Sequence, residues 1–136
     1  MSSIAENLKD VRRRIEAAAG RCGRDPASIA LVAVSKTNSA EAIREAYAAG
    51  QRLFGENYAQ ELAEKAASLA DLTIEWHFIG HLQKNKAKLV APVAACVEAV
   101  DSVELAEAID RRAARRIDCL IEVNIGDETT KSGIAP

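Results

Sequence analysis

The sequence predicts an α/β fold on a parallel sheet, and three observations carry that expectation. Strand-like apolar runs recur at a nearly constant interval: Leu31 to Ser35, Gln51 to Phe54, Ile74 to Ile79, Ala94 to Val100 and Ile117 to Ile125. Their centres lie roughly 22 residues apart, about the length of one short strand–helix unit with its loops. Between them, apolar residues repeat at helical spacing and are bracketed by helix start and stop residues. This alternation favours parallel strands covered by helices. No linker, low-complexity run or charge block divides the chain, so residues 1–136 are expected to form one domain.

Each element has a local cause. The first helix opens at Ser2 or Ser3, where Ser3-Ile4-Ala5-Glu6 has the capping-box spacing. Ile4, Leu8, Val11 and Ile15 share one face, and Gly20 or Gly23 ends it. The run Leu31-Val32-Ala33-Val34-Ser35 reads as a buried strand, and Lys36-Thr37-Asn38-Ser39 turns it into a helix from Ser39 to Ala49. That helix points Ile43, Ala46 and Tyr47 inward and stops at Gly50. A third helix begins around Asn57 and carries Leu62, Ala66 and Leu69; Gly55 before it is expected to supply a turn with positive φ. A short fourth helix follows Leu82 and stops before Pro92. The fifth starts at Ser102, with Val103, Leu105, Ala106 and Ile109 apolar. Arg111-Arg112-Ala113-Ala114-Arg115-Arg116 would close it, because cations suit a helix C-terminus. Gly126 to Pro136 read as a loop with room for the start of a helix.

Composition narrows the function classes. Apolar residues make up 49% and charged residues 28% of the chain, an ordinary soluble balance. The net charge of −2 comes from interspersed acids and bases, which argues against the concentrated basic face of a nucleic-acid binder. Cys22, Cys96 and Cys119 are far apart and form no CxxC pair, so reduced thiols are expected, without a disulfide frame or a zinc site. The N-terminus lacks an apolar signal core and no stretch approaches membrane-spanning length, so a cytoplasmic protein without membrane contact is expected.

Chemistry-bearing residues gather where four strands end. Lys36 closes the first strand, and an amine at the carboxyl end of a strand sits where α/β sheets and barrels build their sites. Burial there would disfavour its charge and leave a nucleophile near neutral pH; a strand-end lysine otherwise snorkels to water. Asn57, in Phe54-Gly55-Glu56-Asn57-Tyr58, can face the same site or cap the third helix. Glu56 reads as an exposed carboxylate in that helix's first turn. His77 and Ile79 share one face of the third strand and Trp76 and Phe78 the other. His77 therefore either approaches the site or is a core histidine. His81 is four residues on, a spacing that aligns metal ligands only on a helix, so no metal site is expected. Asn124 ends the fifth strand, with loop amides as its alternative partners. Lys84, Lys86 and Lys88 read as a polar helix face able to attract an anion.

These strings resemble the pyridoxal 5′-phosphate homeostasis proteins. Ala-Val-Ser-Lys-Thr at 33–37, the Phe-Gly-Glu-Asn-Tyr string with Gln60, Trp-His-Phe-Ile-Gly at 76–80 with Leu82, Gln83, Asn85 and Lys86, Val-Asp-Ser at 100–102, and Val-Asn-Ile at 123–125 with Lys-Ser-Gly at 131–133 occur in the family's order and spacing. The resemblance implies a (β/α)8 barrel related to the N-terminal domain of alanine racemase. It also implies pyridoxal 5′-phosphate held as a Schiff base on Lys36, and a part in vitamin B6 homeostasis without established turnover. Asn57, His77 and Asn124 become the further cofactor-binding candidates, and Lys131 a second lysine near the cofactor or a solvated loop residue. The implied partners are the cofactor itself and apoenzymes that use it.

The chain departs from the family at two points. Glu98 and Ala99 stand where members often carry His and Ser. A closed barrel takes about 250 residues, and the family continues with three more units whose loops would hold the phosphate. The chain is therefore expected to be the first five units of the barrel, preceded by a helix. A full-length member would be monomeric, whereas this incomplete sheet would self-associate through its open edges. Two enzymatic alternatives share Lys36. A racemase needs an opposing base, and Tyr47 and Tyr58, the two tyrosines, are both expected on helices. A class I aldolase needs a relay group, for which Glu56 is the nearest candidate.

Overall fold

The computed structural model describes residues 2–136 and contains one five-stranded parallel sheet in the order β1-β2-β3-β4-β5. The strands are β1 (Ala33–Val34), β2 (Leu53–Glu56), β3 (Glu75–Phe78), β4 (Ala94–Val100) and β5 (Asp118–Ile121). The helices are α1 (Ile4–Arg21), α2 (Ala40–Ala48), α3 (Ala59–Ser68), α4 (Ala87–Val90) and α5 (Val103–Asp110). Each strand pairs in parallel with the next one in sequence, with a helix in each connection. This is the order of the first half of a (β/α)8 barrel.

The helix starts follow from their side chains. Ser3 Oγ accepts from Glu6 N–H at 3.2 Å while Ser3 N–H donates to Glu6 Oε2 at 2.7 Å, completing the capping box. Ser39 caps α2 and Ser102 caps α5 through the serine hydroxyl alone, which accepts from Ala42 N–H at 3.2 Å and from Leu105 N–H at 3.1 Å. Gly50 ends the α2 turn at φ 92°, a left-handed conformation open to glycine.

Alternation along the strands sorts two faces. Phe54, Trp76, Phe78 and Val97 point to the helices and pack with Ile43, Leu62, Val90, Leu105 and Ile109. The Phe54 and Trp76 rings meet at 6.1 Å between centroids. Each such burial stabilises the fold by about 1.5–3 kcal/mol. The opposite face carries Val34, His77, Cys96 and Glu98, and Val34 is 51% exposed there. Ile121 at the β5 edge is 67% exposed, because no helix covers that strand.

Several local expectations are corrected. Strand one narrows to two residues and strand five to four, while β4 keeps its full expected span. β5 is followed by turns and one parallel bridge, Val123 to Ile134, instead of a helix. Helix α5 ends at Asp110, so Arg112, Arg115 and Arg116 lie in the following turn and not on the helix. Gly55 does not have positive φ; a Cβ there would come within 3.2 Å of Val32 and 3.3 Å of Ile79, so the position needs space instead. Among the described residues, no helix is long and apolar enough to cross a membrane.

Candidate functional site

Lys36 leaves the carboxyl end of β1 with its side chain exposed, not buried as the sequence reading allowed. Its backbone, in contrast, is fixed on both sides. Thr37 has φ 62°, a conformation costly for a β-branched residue. Its N–H donates to Glu61 Oε1 at 2.6 Å, and Asn38 Nδ2 donates to the Lys36 carbonyl at 3.1 Å. On the other side, Ser35 N–H donates to the Gly55 carbonyl at 2.9 Å and Ser35 Oγ to Glu56 Oε1 at 2.6 Å.

A buried lysine closes this frame. Lys65 Nζ donates to the Ser35 carbonyl, Glu56 Oε1 and Glu61 Oε1, each at 2.7 Å, and so uses all three of its protons. Glu56 is fully buried on β2, which overturns its reading as an exposed carboxylate of a first helical turn. Alternation puts it on the helix-facing side with Phe54, where only the Lys65 cation and the Ser35 hydroxyl make a carboxylate tolerable. Its Oε2 has no partner among the described residues. Glu61 is held below the ordinary glutamate range, chiefly by its bond from Lys65 and further by the Thr37 N–H. The residues before and after Lys36 are therefore tied to β2 and α3 through one charge network.

Asn57 follows β2 and is partly buried. It does not cap α3: Tyr58 occupies the cap position and gives no side-chain bond, so the helix begins at Ala59. Tyr58 is accordingly not a helical residue, against the expectation from sequence, and is 54% exposed. Asn57 instead packs against Gly80, where a Cβ would lie 2.2 Å from the Asn57 carbonyl oxygen and 2.7 Å from Oδ1. Close approach between the β2 and β3 loops thus requires glycine at 80. Between these loops lies a cavity of about 340 Å³ lined by Asn57, Tyr58, Gln60, His81, Gln83 and Lys86. A larger cavity of about 530 Å³, beside Arg12, Leu31 and Arg52, opens at the amino ends of β1 and β2, away from Lys36.

His77 sits on the inner sheet face, so its imidazole is not part of the helix-side core. Its Nδ1 lies 2.7 Å from Glu98 Oε1. Cys96 is its partner across β3–β4, and desolvation, then the nearby Glu98 and Asp118 charges, push that thiol up to about 11. His81 lies out on the loop, 3.7 Å from Asp101.

Asn124 is used by its own loop. Its Nδ2 donates to the Glu128 carbonyl at 2.9 Å and its Oδ1 accepts from Glu128 N–H at 3.3 Å. Lys131 is exposed and pairs with Glu128 at 3.1 Å. The structure therefore brings Lys36 and Asn57 to neighbouring strand ends, sets His77 on the inner face, and leaves Asn124 at the far edge beyond β5. The bracing residues Glu61 and Lys65 escaped the sequence reading. Their signal was an acid–base pair four apart on α3, a spacing that ordinarily marks a solvated helix face.

Parallel strands alternating with helices in this order define the opening part of a (β/α) barrel, with the exposed Lys36 at the first strand's carboxyl end. The chain belongs to the alanine racemase N-terminal domain family, whose profile matches residues 2–136. It is 48% identical to the pyridoxal phosphate homeostasis protein of Pseudomonas aeruginosa over 100% of this chain and 60% of that protein. To the protein of the same name in Escherichia coli K12 it is 49% identical, over 98% of this chain and 60% of that one. The chain thus spans about 60% of the length of these relatives. Among solved structures it resembles PipY of Synechococcus elongatus with pyridoxal phosphate bound, with TM-score 0.80 and 40% identity, over 97% of this chain and 58% of PipY. A protein of Bifidobacterium adolescentis matches with TM-score 0.86 and 38% identity, over 96% of this chain and 58% of that one.

Proposed function

We propose that this chain takes part in pyridoxal phosphate homeostasis and holds the cofactor reversibly as a Schiff base on Lys36. One observation carries the reading: Lys36 presents an accessible amine from a strained turn whose two flanks are locked by the Glu56–Lys65–Glu61 network. Schiff-base chemistry needs a primary amine that small carbonyl compounds can reach and that stays in register with its neighbours. The names of the relatives and the pyridoxal phosphate bound in PipY support that cofactor as the carbonyl compound.

The donor set fits that cofactor. Pyridoxal phosphate supplies an aldehyde, which condenses with a primary amine by losing one water. Lys36 supplies the amine; Asn57 lines the neighbouring strand end with an amide, and His77 contributes to the inner floor. Asn124 belongs to the same carboxyl end and reaches the cofactor only if it gives up its bonds to Glu128. A carrier role, with apoenzymes as recipients, fits better than either enzymatic alternative. The aldolase reading loses its relay because Glu56 is engaged by Ser35 and Lys65. The racemase reading gains no base, since the Tyr47 hydroxyl accepts from Thr73 N–H and Tyr58 sits at the α3 cap.

The test is a visible absorption spectrum of the protein with added pyridoxal phosphate, beside Lys36→Ala, followed by borohydride trapping and peptide mapping. A band that is trapped on Lys36 and lost in the variant is the expected result. Trapping spread over several lysines, or a band that survives in Lys36→Ala, would overturn the assignment.

A further inference from the structure

Three side chains of different metal-binding chemistry meet on the inner face of the sheet: His77 on β3, and Cys96 and Glu98 on β4. We propose that they form a site for a divalent transition cation of the zinc class, bound by His77 Nδ1, Cys96 Sγ and one Glu98 carboxylate oxygen. One potential ligand atom from each of the three residues lies within 4.8 Å of the others, and His77 Nδ1 itself is 2.7 Å from Glu98 Oε1.

The backbone explains why they converge. His77 and Cys96 are direct partners across the parallel ladder. Cys96 and Glu98 are two apart on one strand and so share a face. Both strands are interior to the sheet, each paired on both sides. Cys96 is only 7% exposed, and the His77 side chain 16%.

The arrangement also suits the ion. Tetrahedral bonds of about 2.0–2.3 Å place neighbouring ligand atoms about 3.3–3.7 Å apart. Closing up from within 4.8 Å is a matter of side-chain rotation, and the 2.7 Å contact between His77 and Glu98 opens to about 3.3 Å. A thiolate and a carboxylate carry two negative charges, matching a divalent cation, while the imidazole binds neutral. Sulfur, nitrogen and oxygen together select zinc-like ions over magnesium or calcium. On binding, the Cys96 thiol gives its proton to solvent as the sulfur–metal bond forms. Asp118, paired with Cys96 across β4–β5, is the nearest further carboxylate in the register, and the fourth position is open to it or to water. A plain histidine–glutamate hydrogen bond would account for two of the three residues. The cysteine is what separates the two readings.

The site is distinct from Lys36, which follows β1, two and three strands away, about 10–14 Å at ordinary strand spacing. His77 would bind the metal through Nδ1 and keep Nε2 for other contacts.

The experiment is a cobalt(II) titration of the reduced, metal-free chain, without pyridoxal phosphate, which itself chelates metals. Because no cofactor is present, its outcome is independent of the Lys36 assignment. The expected result is one equivalent bound, with a thiolate-to-cobalt charge-transfer band and intense tetrahedral d–d bands, both displaced by zinc. Cys96→Ser should abolish the charge-transfer band, and Glu98→Gln and His77→Ala should each weaken binding by about tenfold or more. Cys22→Ser and Cys119→Ser, at exposed cysteines, should leave it intact. Circular dichroism of each variant confirms that the fold is retained. Absence of a thiolate band, its persistence in Cys96→Ser, or unchanged affinity in Glu98→Gln would overturn the proposal.

Discussion

At the scale of single residues, the buried lysine matters as much as the exposed one. Lys65 has three acceptors at bonding distance, and two of them, Glu56 Oε1 and the Ser35 carbonyl, come from the strand ends beside Lys36. Removing one partner of a buried pair leaves an uncompensated charge, at a cost of about 3–5 kcal/mol. Lys65→Met should therefore lower the unfolding free energy by that amount in urea titrations. Lys65→Met combined with Glu56→Leu should recover much of the loss, because the pair is then replaced by apolar groups. A single-variant loss below about 1 kcal/mol would mean that the network does not carry this charge in solution.

At the scale of elements, Glu61 links α3 to the turn after β1. Its carboxyl is held below the ordinary range in the folded chain, so the unfolded chain binds its proton more readily. The stabilisation is then complete above the unfolded value of about 4.3 and is lost as pH falls through the lower folded value. Urea midpoints measured from neutral to acidic pH should fall on the acid side. Glu61→Gln should start from a lower midpoint at neutral pH and show a shallower acid limb. An acid limb of equal slope in the variant would assign the titration to other carboxylates. The same link explains how a two-residue strand holds its place: β1 has few ladder bonds of its own, and side chains from β2 and α3 fix its end.

At the scale of the whole molecule, the sheet is covered on one face and open on the other, with edges at β1 and β5. Val34 and Leu120 are exposed on that open side, and Ile121, Val123 and Ile125 are exposed at or beyond the β5 edge. Such a patch next to an unpaired edge favours association. Sedimentation of this chain should show concentration-dependent self-association that Ile121→Lys reduces. A strictly monomeric wild-type chain would show that the open face is tolerated in water.

The sequence by itself determined the order of elements, the capping serines, the helix-facing core and the full span of β4, because hydrophobic period and cap chemistry are local. It also placed Lys36 at a strand end and, through motif strings, the family. Tertiary structure decided everything that depends on which strands are neighbours. Glu56 looked like a surface carboxylate until β2 placed it inside against a lysine nine residues away. Asn57 stood open between a helix cap and a site residue until α3 started at Ala59 and the β3 loop packed against it. His77, Cys96 and Glu98 carry no shared spacing in the chain, since His77 and Glu98 are 21 residues apart and meet only through the β3–β4 register. Pairing across a parallel sheet is set by long-range packing, and no local pattern in either strand encodes it.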